Sequence, residues 1–258
     1  MKKEYIVILI LFIFSTTYAQ ENENGYTKFY YPNGQVSSEG MMRNGKPDGY
    51  WKTYYTTGVI KSEGMRRNFE LDSTWVFYNQ SGEIEQKINY KYGKKNGFSY
   101  EYSYENYSNG IVISKELYVN GKKEGPAEYY YENGKLKEEV IYENGKKEGS
   151  AKMYDENGNL IALLEYHNGY LINRERINRT DSDGMKQGTW KEYYPDGTLK
   201  KEMFYTDNQL DDVYREFSRD GSLNLILKYE EGKTIEDQED LITQEELDIR
   251  REFDEEGN

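Results

Sequence analysis

The stretch from Gly125 to Gly149 sets the pattern for most of the chain: two short runs of strand-forming residues, each closed by Asn-Gly, at Asn133-Gly134 and Asn144-Gly145. Asn-Gly supplies the positive backbone φ that tight hairpin turns need, so the stretch predicts strand, turn, strand, turn. Five residues after the first glycine of each such unit stands an aromatic: Tyr30, Tyr54, Tyr78, Tyr102, Tyr130, Tyr154, Tyr193 or Phe217. Two residues after the middle glycine stands an aliphatic: Val36, Ile60, Ile84, Val112, Leu136, Leu160, Leu199 or Leu223. Six further on comes Tyr90, Tyr118, Tyr142, Tyr166, Tyr205 or Tyr229, with Met42 and Arg66 in the first two units. Even spacing along a strand places that aliphatic and the later aromatic on one face. The residue three before the later aromatic is often Glu (Glu39, Glu63, Glu139, Glu202), which odd spacing sends to the opposite, wet face.

Aligned on glycine, the units repeat every 24 residues, divided 9, 11 and 4, with copies starting near residues 25, 49, 73, 97, 125, 149, 188 and 212. Where glycine is missing, Asn or Asp usually stands in its place, the other residues that tolerate left-handed backbone. A fixed period of this length marks an array. The expected fold is all-β: an elongated, single-layer antiparallel β-meander of about eight hairpin repeats of 24 residues, occupying 20–236. At about 4.8 Å per strand, 16 strands make a sheet on the order of 75 Å long. No copy can bury its own face, so stability comes from neighbours.

Three places break the period. Residues 104–109 lengthen one hairpin tip, 174–187 insert a polar loop, and 233–247 insert an acidic stretch. In that last stretch Thr243 and Glu246 stand in capping-box spacing, which suits a short helix within 237–258. Residues 248–258 resemble the first half of the sixth copy, so the chain ends on half a repeat. The N-terminus is read as an address. Lys2 and Lys3 precede an unbroken apolar run from Ile6 to Phe14, and Thr17 and Ala19 are the small residues a signal peptidase reads. Residues 1–19 are therefore expected to be a cleaved signal peptide, placing the mature protein in the periplasm or outside the cell. Nine apolar residues fall short of the roughly 20 needed to span a bilayer.

Composition sharpens this picture. Tyr contributes 28 residues and aromatics 16%, whereas hydrophobic residues make up only 36%. That balance suits a thin structure whose side chains are covered on one side and wet on the other. Cys is absent, which rules out disulfides and Cys-ligated metal. The chain carries a net charge of −13; removing residues 1–19 takes two Lys and one Glu, leaving 32 basic and 46 acidic residues, net −14. Nucleic acid and anionic lipid both call for basic patches, so neither is an expected partner.

No catalytic constellation stands out, and no cofactor or metal site is expected. His167, the single histidine, lies beside a turn with no marked partner. Carboxylate pairs such as Glu138-Glu139 and Asp211-Asp212 read as solvated faces in so acidic a chain. Asp181-Ser182-Asp183-Gly184 opens like a calcium loop but lacks the third ligand and the distal Glu. Asn106-Tyr107-Ser108 and Asn178-Arg179-Thr180 fit the N-glycosylation pattern. The aromatic ladder is the one feature that suggests binding. Trp51, Trp75 and Trp190, with Tyr30, Tyr54, Tyr130 and Tyr193, are its candidate surface, against the plainer reading that they pack along the sheet. Odd spacing puts each Trp and its Tyr on opposite faces unless a bulge intervenes.

The phrase Tyr-Tyr-Pro-Asn-Gly-Gln-Val-Ser-Ser-Glu-Gly at 30–40, followed by Arg-Asn-Gly-Lys-Pro-Asp-Gly at 43–49, resembles the bacterial variant of the MORN repeat, as does 193–202. The resemblance covers about residues 25–236 and implies stacked β-hairpins. Bacterial relatives are often labelled antitoxin components, and eukaryotic ones tether proteins near membranes, sometimes through acidic phospholipids. A signal peptide and a charge of −14 depart from both. The expected function is an exported, non-enzymatic scaffold that binds a protein along its aromatic sheet. A glycan- or cell-wall-binding module and an antitoxin-like component are the alternatives.

Overall fold

The computed structural model describes residues 24–105 and 108–235. The signal peptide, the tripeptide at Asn106, the acidic stretch from 236 on and the terminal half repeat lie outside the described residues. Twenty strands follow in chain order: β1 (Gly25–Tyr30), β2 (Val36–Arg43), β3 (Lys46–Tyr54), β4 (Ile60–Arg67), β5 (Glu70–Tyr78), β6 (Ile84–Lys91), β7 (Lys94–Ser103), β8 (Ile111–Val119), β9 (Lys122–Tyr130) and β10 (Leu136–Glu143). Then come β11 (Lys146–Tyr154), β12 (Leu160–His167), β13 (Tyr170–Arg176), β14 (Arg179–Thr180), β15 (Lys186–Tyr193), β16 (Leu199–Thr206), β17 (Gln209–Leu210), β18 (Asp212–Phe217), β19 (Leu223–Glu230) and β20 (Lys233–Thr234). The first 13 form one antiparallel sheet in strict chain order, and the last seven form a second. The meander is as the repeat predicts.

The two turns of a copy differ in kind. At Asn144-Gly145 both residues have positive φ (52° and 85°), and Glu143 pairs with Lys146, a two-residue hairpin loop. At the other tip only Gly134 has positive φ, at 80°; Asn133 does not. There Gly134 N–H donates to Tyr131 O and Tyr131 N–H to Lys135 O, a type I turn closed by a glycine bulge, with the Asn133 side chain accepting from Lys135 N–H. The expectation of identical Asn-Gly turns is thus half right.

A bulge follows every first turn. In the β9–β10 pair Tyr130 faces Leu136 but Tyr129 faces Glu138, so Lys137 is skipped. The same slip occurs at Thr53/Tyr54, Phe77/Tyr78 and Met153/Tyr154. One extra residue reverses the alternation. Leu136 and Tyr142 therefore lie on opposite faces, contrary to the even-spacing expectation, whereas Glu139 remains opposite Tyr142 as predicted.

Copies are tied at both edges. Tyr31, Tyr55, Tyr131 and Tyr194 each donate from the phenol to a carbonyl 23 residues on: Tyr54, Tyr78, Tyr154 and Phe217, at 2.6, 2.7, 2.7 and 3.0 Å. At the other edge Gly93, Gly121, Gly145 and Gly169 donate backbone N–H to Leu71, Lys95, Lys123 and Lys147 of the preceding copy.

Residues 174–187 are not a polar loop. They finish β13, form β14 and begin β15, around a turn at Asp181–Gly184. β13 pairs with β12 and β14 with β15, so the run from Tyr170 to Thr180 joins the two sheets. Asn178 stands in for a peptide group at this seam: its side-chain amide donates to Lys191 O and accepts from Lys191 N–H. The Lys191 ammonium reaches Glu175 at 2.7 Å and Glu202 at 3.3 Å, one from each sheet. Burial alone would lower its pKa, and the two carboxylates more than offset that.

Candidate functional site

Register assigns the side chains of the first sheet to two faces. On one, here called inner, a central row runs through Gly40, Trp51, Gly64, Trp75, Ile88, Ser99, Glu116, Ala127, Val140, Ala151 and Leu164. Trp51 and Trp75 are buried in it, only 4% and 2% exposed. Gly40 and Gly64 have ordinary backbone and exist for another reason: a Cβ on Gly64 would stand 2.5 Å from Trp75 Cδ2, and one on Gly40 would stand 2.6 Å from Tyr50 O. Each indole lies on a glycine, and the Trp75 Nε1–H donates to Met65 O at 2.8 Å. Further along, Ala127 and Ala151 replace the tryptophans, and Val140 and Leu164 replace the glycines. Bulk is exchanged across the strand pair.

Beside the alanines, Tyr, Lys and Glu cover the row. Glu116 accepts from the phenols of Tyr118 and Tyr129, both at 2.8 Å, and pairs with Lys123 at 2.5 Å. Burial pushes the Glu116 carboxyl up, and these three donors outweigh it and hold it below its ordinary pKa. Lys95, Lys123 and Lys147 lie over the rings of Tyr118, Tyr142 and Tyr166 at 4.8, 5.0 and 4.9 Å.

The opposite, outer face carries a carboxylate–lysine ladder: Lys28–Glu39, Lys52–Glu63, Lys115–Glu128 and Lys152–Glu139. Tyr54 and Tyr78 donate into it, to Glu39 at 2.6 Å and Glu63 at 2.7 Å. Hydrogen bonds from Tyr54 and then Lys28 hold Glu39 down at about 2. Burial, then the hydrogen bond to Glu63, pushes Tyr50 up to about 12. Next to this ladder runs a row of Tyr26, Met41, Tyr50 and Met65, paired Tyr26–Met41 and Tyr50–Met65 and between 42% and 58% exposed.

The candidate residues divide accordingly. Trp51 and Trp75 are core rather than surface, Trp190 is half-buried with its Nε1–H on Arg179 O, and Tyr30 is exposed. Tyr54, Tyr130 and Tyr193 are half-buried, and Tyr130 donates to Glu128. Tyr26, Met41, Tyr50 and Met65 escaped sequence reasoning, although Met41 and Met65 share one slot of the repeat. His167 is exposed, its Nδ1 2.8 Å from Glu148. The Asp181 carboxylate is engaged by the backbone N–H of Asp183 and Met185 and by Gln187, as at other hairpin tips. No group of three or more metal-ligating side chains occurs among the described residues.

No curated protein matches the sequence. Among solved structures the chain aligns with a chain of the Photorhabdus luminescens Tc holotoxin pore (15% identity, TM-score 0.21) and with one of TcdB2-TccC3-TEV (12% identity, TM-score 0.22). Those alignments cover 80% and 81% of this chain and 12% of each of the others. The family described as MORN repeat variant matches residues 23–44, 47–68, 71–92, 123–144, 147–168 and 186–207, just over half of the sequence. Each matched stretch spans one strand–turn–strand unit of the meander, and the chain belongs to the MORN-repeat-variant family.

Proposed function

We propose that this chain is an exported, non-enzymatic scaffold that holds a protein partner against its outer face, centred on Tyr26, Met41, Tyr50 and Met65. The observation that carries the reading is the exposure of that row. Four large, adaptable side chains stand together in solvent, while the tryptophans of the same copies are spent on packing. A contiguous apolar strip bordered by ion pairs is how interaction surfaces are built, and methionine suits a surface that must adapt. Repeat arrays bind along an extended face. Export rests on the apolar run and small residues of 1–19. The glycan and antitoxin readings have no comparable observation behind them; burial of Trp51 and Trp75 weighs against glycan stacking on those rings.

Replacing Met41, Tyr50 and Met65 together by Ser tests the binding face. The variant keeps its melting temperature and loses the envelope partner that cross-links to the wild type in the native host. Undiminished capture by the folded variant rejects the face. N-terminal sequencing of protein recovered outside the cytoplasm tests export and is expected to begin at Gln20.

A further inference from the structure

The first three copies carry an unusual cleft on the inner face, opposite the Tyr–Met row. Its lining is Phe29, Ser38, Pro47, Trp51, Thr53, Arg66 and Trp75, around a space of about 160 Å³. The cleft lies where three consecutive strands place small side chains in one row. Ser38, Thr53 and Ser62 occupy the row in which later strands place Phe77, Gln86, Glu101, Tyr129 and Met153. Thr53 and Ser62 satisfy each other at 2.7 Å, and Thr27 Oγ1 is buried with no hydrogen-bond partner among the described residues.

Arg66 closes one end. It takes the slot that holds tyrosine in later copies, and it lies over the Trp75 ring at 5.4 Å. Its Nη1 donates to Phe69 O at 2.9 Å, and its Nε is buried with no acceptor among the described residues. No carboxylate pairs with it among those residues, although Arg67, the next residue, holds Asp72, and Arg43, in the same repeat slot as Arg67, holds Asp48. Burial disfavours its charge. In a chain of net charge −13, a half-buried guanidinium left without a counterion is an exception to be explained.

We infer that this cleft binds a carboxylate borne on a small apolar body, with the Nη2 end of the Arg66 guanidinium meeting a carboxylate oxygen and Phe29 and Pro47 taking the apolar part over a floor made by the edges of Trp51 and Trp75. A hydrogen bond from a guanidinium to a carboxylate is charge-assisted and stronger than one between neutral groups. The volume admits about one amino-acid side chain. Two sources share this chemistry: the C-terminal residue of a peptide and a free carboxylic acid. The site does not depend on the proposed outer-face partner, and either can fail alone.

The test follows the indole N–H resonances by NMR in the full-length chain, with phenylacetate as the free acid, N-acetylphenylalanine as the peptide end and N-acetylphenylalanine amide as the neutral control. Both acids shift Trp51 and Trp75 saturably, the amide does not, and Trp190 in the second sheet stays still. Whichever acid binds more tightly identifies the source. Arg66→Gln weakens binding about tenfold or more, the loss expected for a charged hydrogen bond, and Arg66→Lys retains part of it. Unchanged melting temperature and retained, dispersed Trp51 and Trp75 resonances in the free variants show that each is folded around the cleft. The inference is overturned if neither indole moves up to about 20 mM acid, if acid and amide act alike, or if folded Arg66→Gln binds as the wild type does.

Discussion

The inner face solves one packing problem twice. Over the first three copies a large ring lies on a bare backbone, Trp51 on Gly40 and Trp75 on Gly64, with hydroxyls and a lone guanidinium beside it. In the copies starting at 125 and 149, methyls of Ala127 and Ala151 meet Val140 and Leu164, and a carpet of Tyr, Lys and Glu closes above them. A single-layer sheet has no second layer to cover it, so each row must be sealed by its own side chains. Either rings lie flat, or long polar chains fold over small residues. The first solution leaves a cleft, and the second leaves a saturated hydrogen-bond network.

The largest effect expected from breaking this comparison is at the rings. Trp75→Ala costs about 3–5 kcal/mol in urea unfolding, whereas Ala151→Gly at the matching position costs about 1 kcal/mol. Transplanting the other solution sharpens the point: the double change Gly64→Val with Trp75→Ala regains at least half of the Trp75→Ala loss. Gly64→Val alone is strongly destabilising, by about 3 kcal/mol, because its Cβ meets the indole. An additive double mutant would show that the two positions do not exchange bulk.

Next is the carpet. Glu116→Gln removes the charge that three donors converge on, at about 2 kcal/mol. Because the folded pKa of Glu116 is depressed, its contribution is complete above the unfolded value of about 4.3 and is lost as pH falls through the folded one. The urea midpoint of the wild type therefore drops more steeply below about pH 4.3 than that of Glu116→Gln. Parallel curves would sever the network from stability. Glu39, held at about 2 on the outer face, adds a second drop that extends further into acid and is absent in Glu39→Gln.

The smallest effect is a gain. Ser73 occupies a glycine position at φ 60°, so Ser73→Gly stabilises by about 1 kcal/mol in thermal melts. Gly149, already suited to the same position, shows no such gain when changed to Ser.

Much of this was legible from spacing. The period, the hairpins and the opposition of Trp51 to Tyr54 follow from turn chemistry and alternation. The bulge after each first turn was not, because a skipped residue such as Lys137 leaves no mark in composition; it moved Leu136 to the outer face. Residues 174–187 read as a loop because they lack the glycine rhythm, yet Asn178 supplies by side chain the bonds a strand would supply by backbone. Gly40 and Gly64 stood off the glycine lattice, and that was the available sign that they serve Trp51 and Trp75. The Tyr–Met row was hidden because its slot holds a different residue in nearly every copy, such as Asn89, Leu117, Ile141 and Phe204.

The central claim is that the tryptophans build the sheet and the row opposite them meets the partner. A photo-cross-linking residue placed at Tyr50 in the native host, compared with one placed at Ser150 in the same row four copies on, tests it directly. The account predicts a discrete protein adduct at position 50 that is lost when Met41 and Met65 are Ser, and none at position 150. Equal labelling at the two positions, or an adduct indifferent to Met41 and Met65, would contradict it.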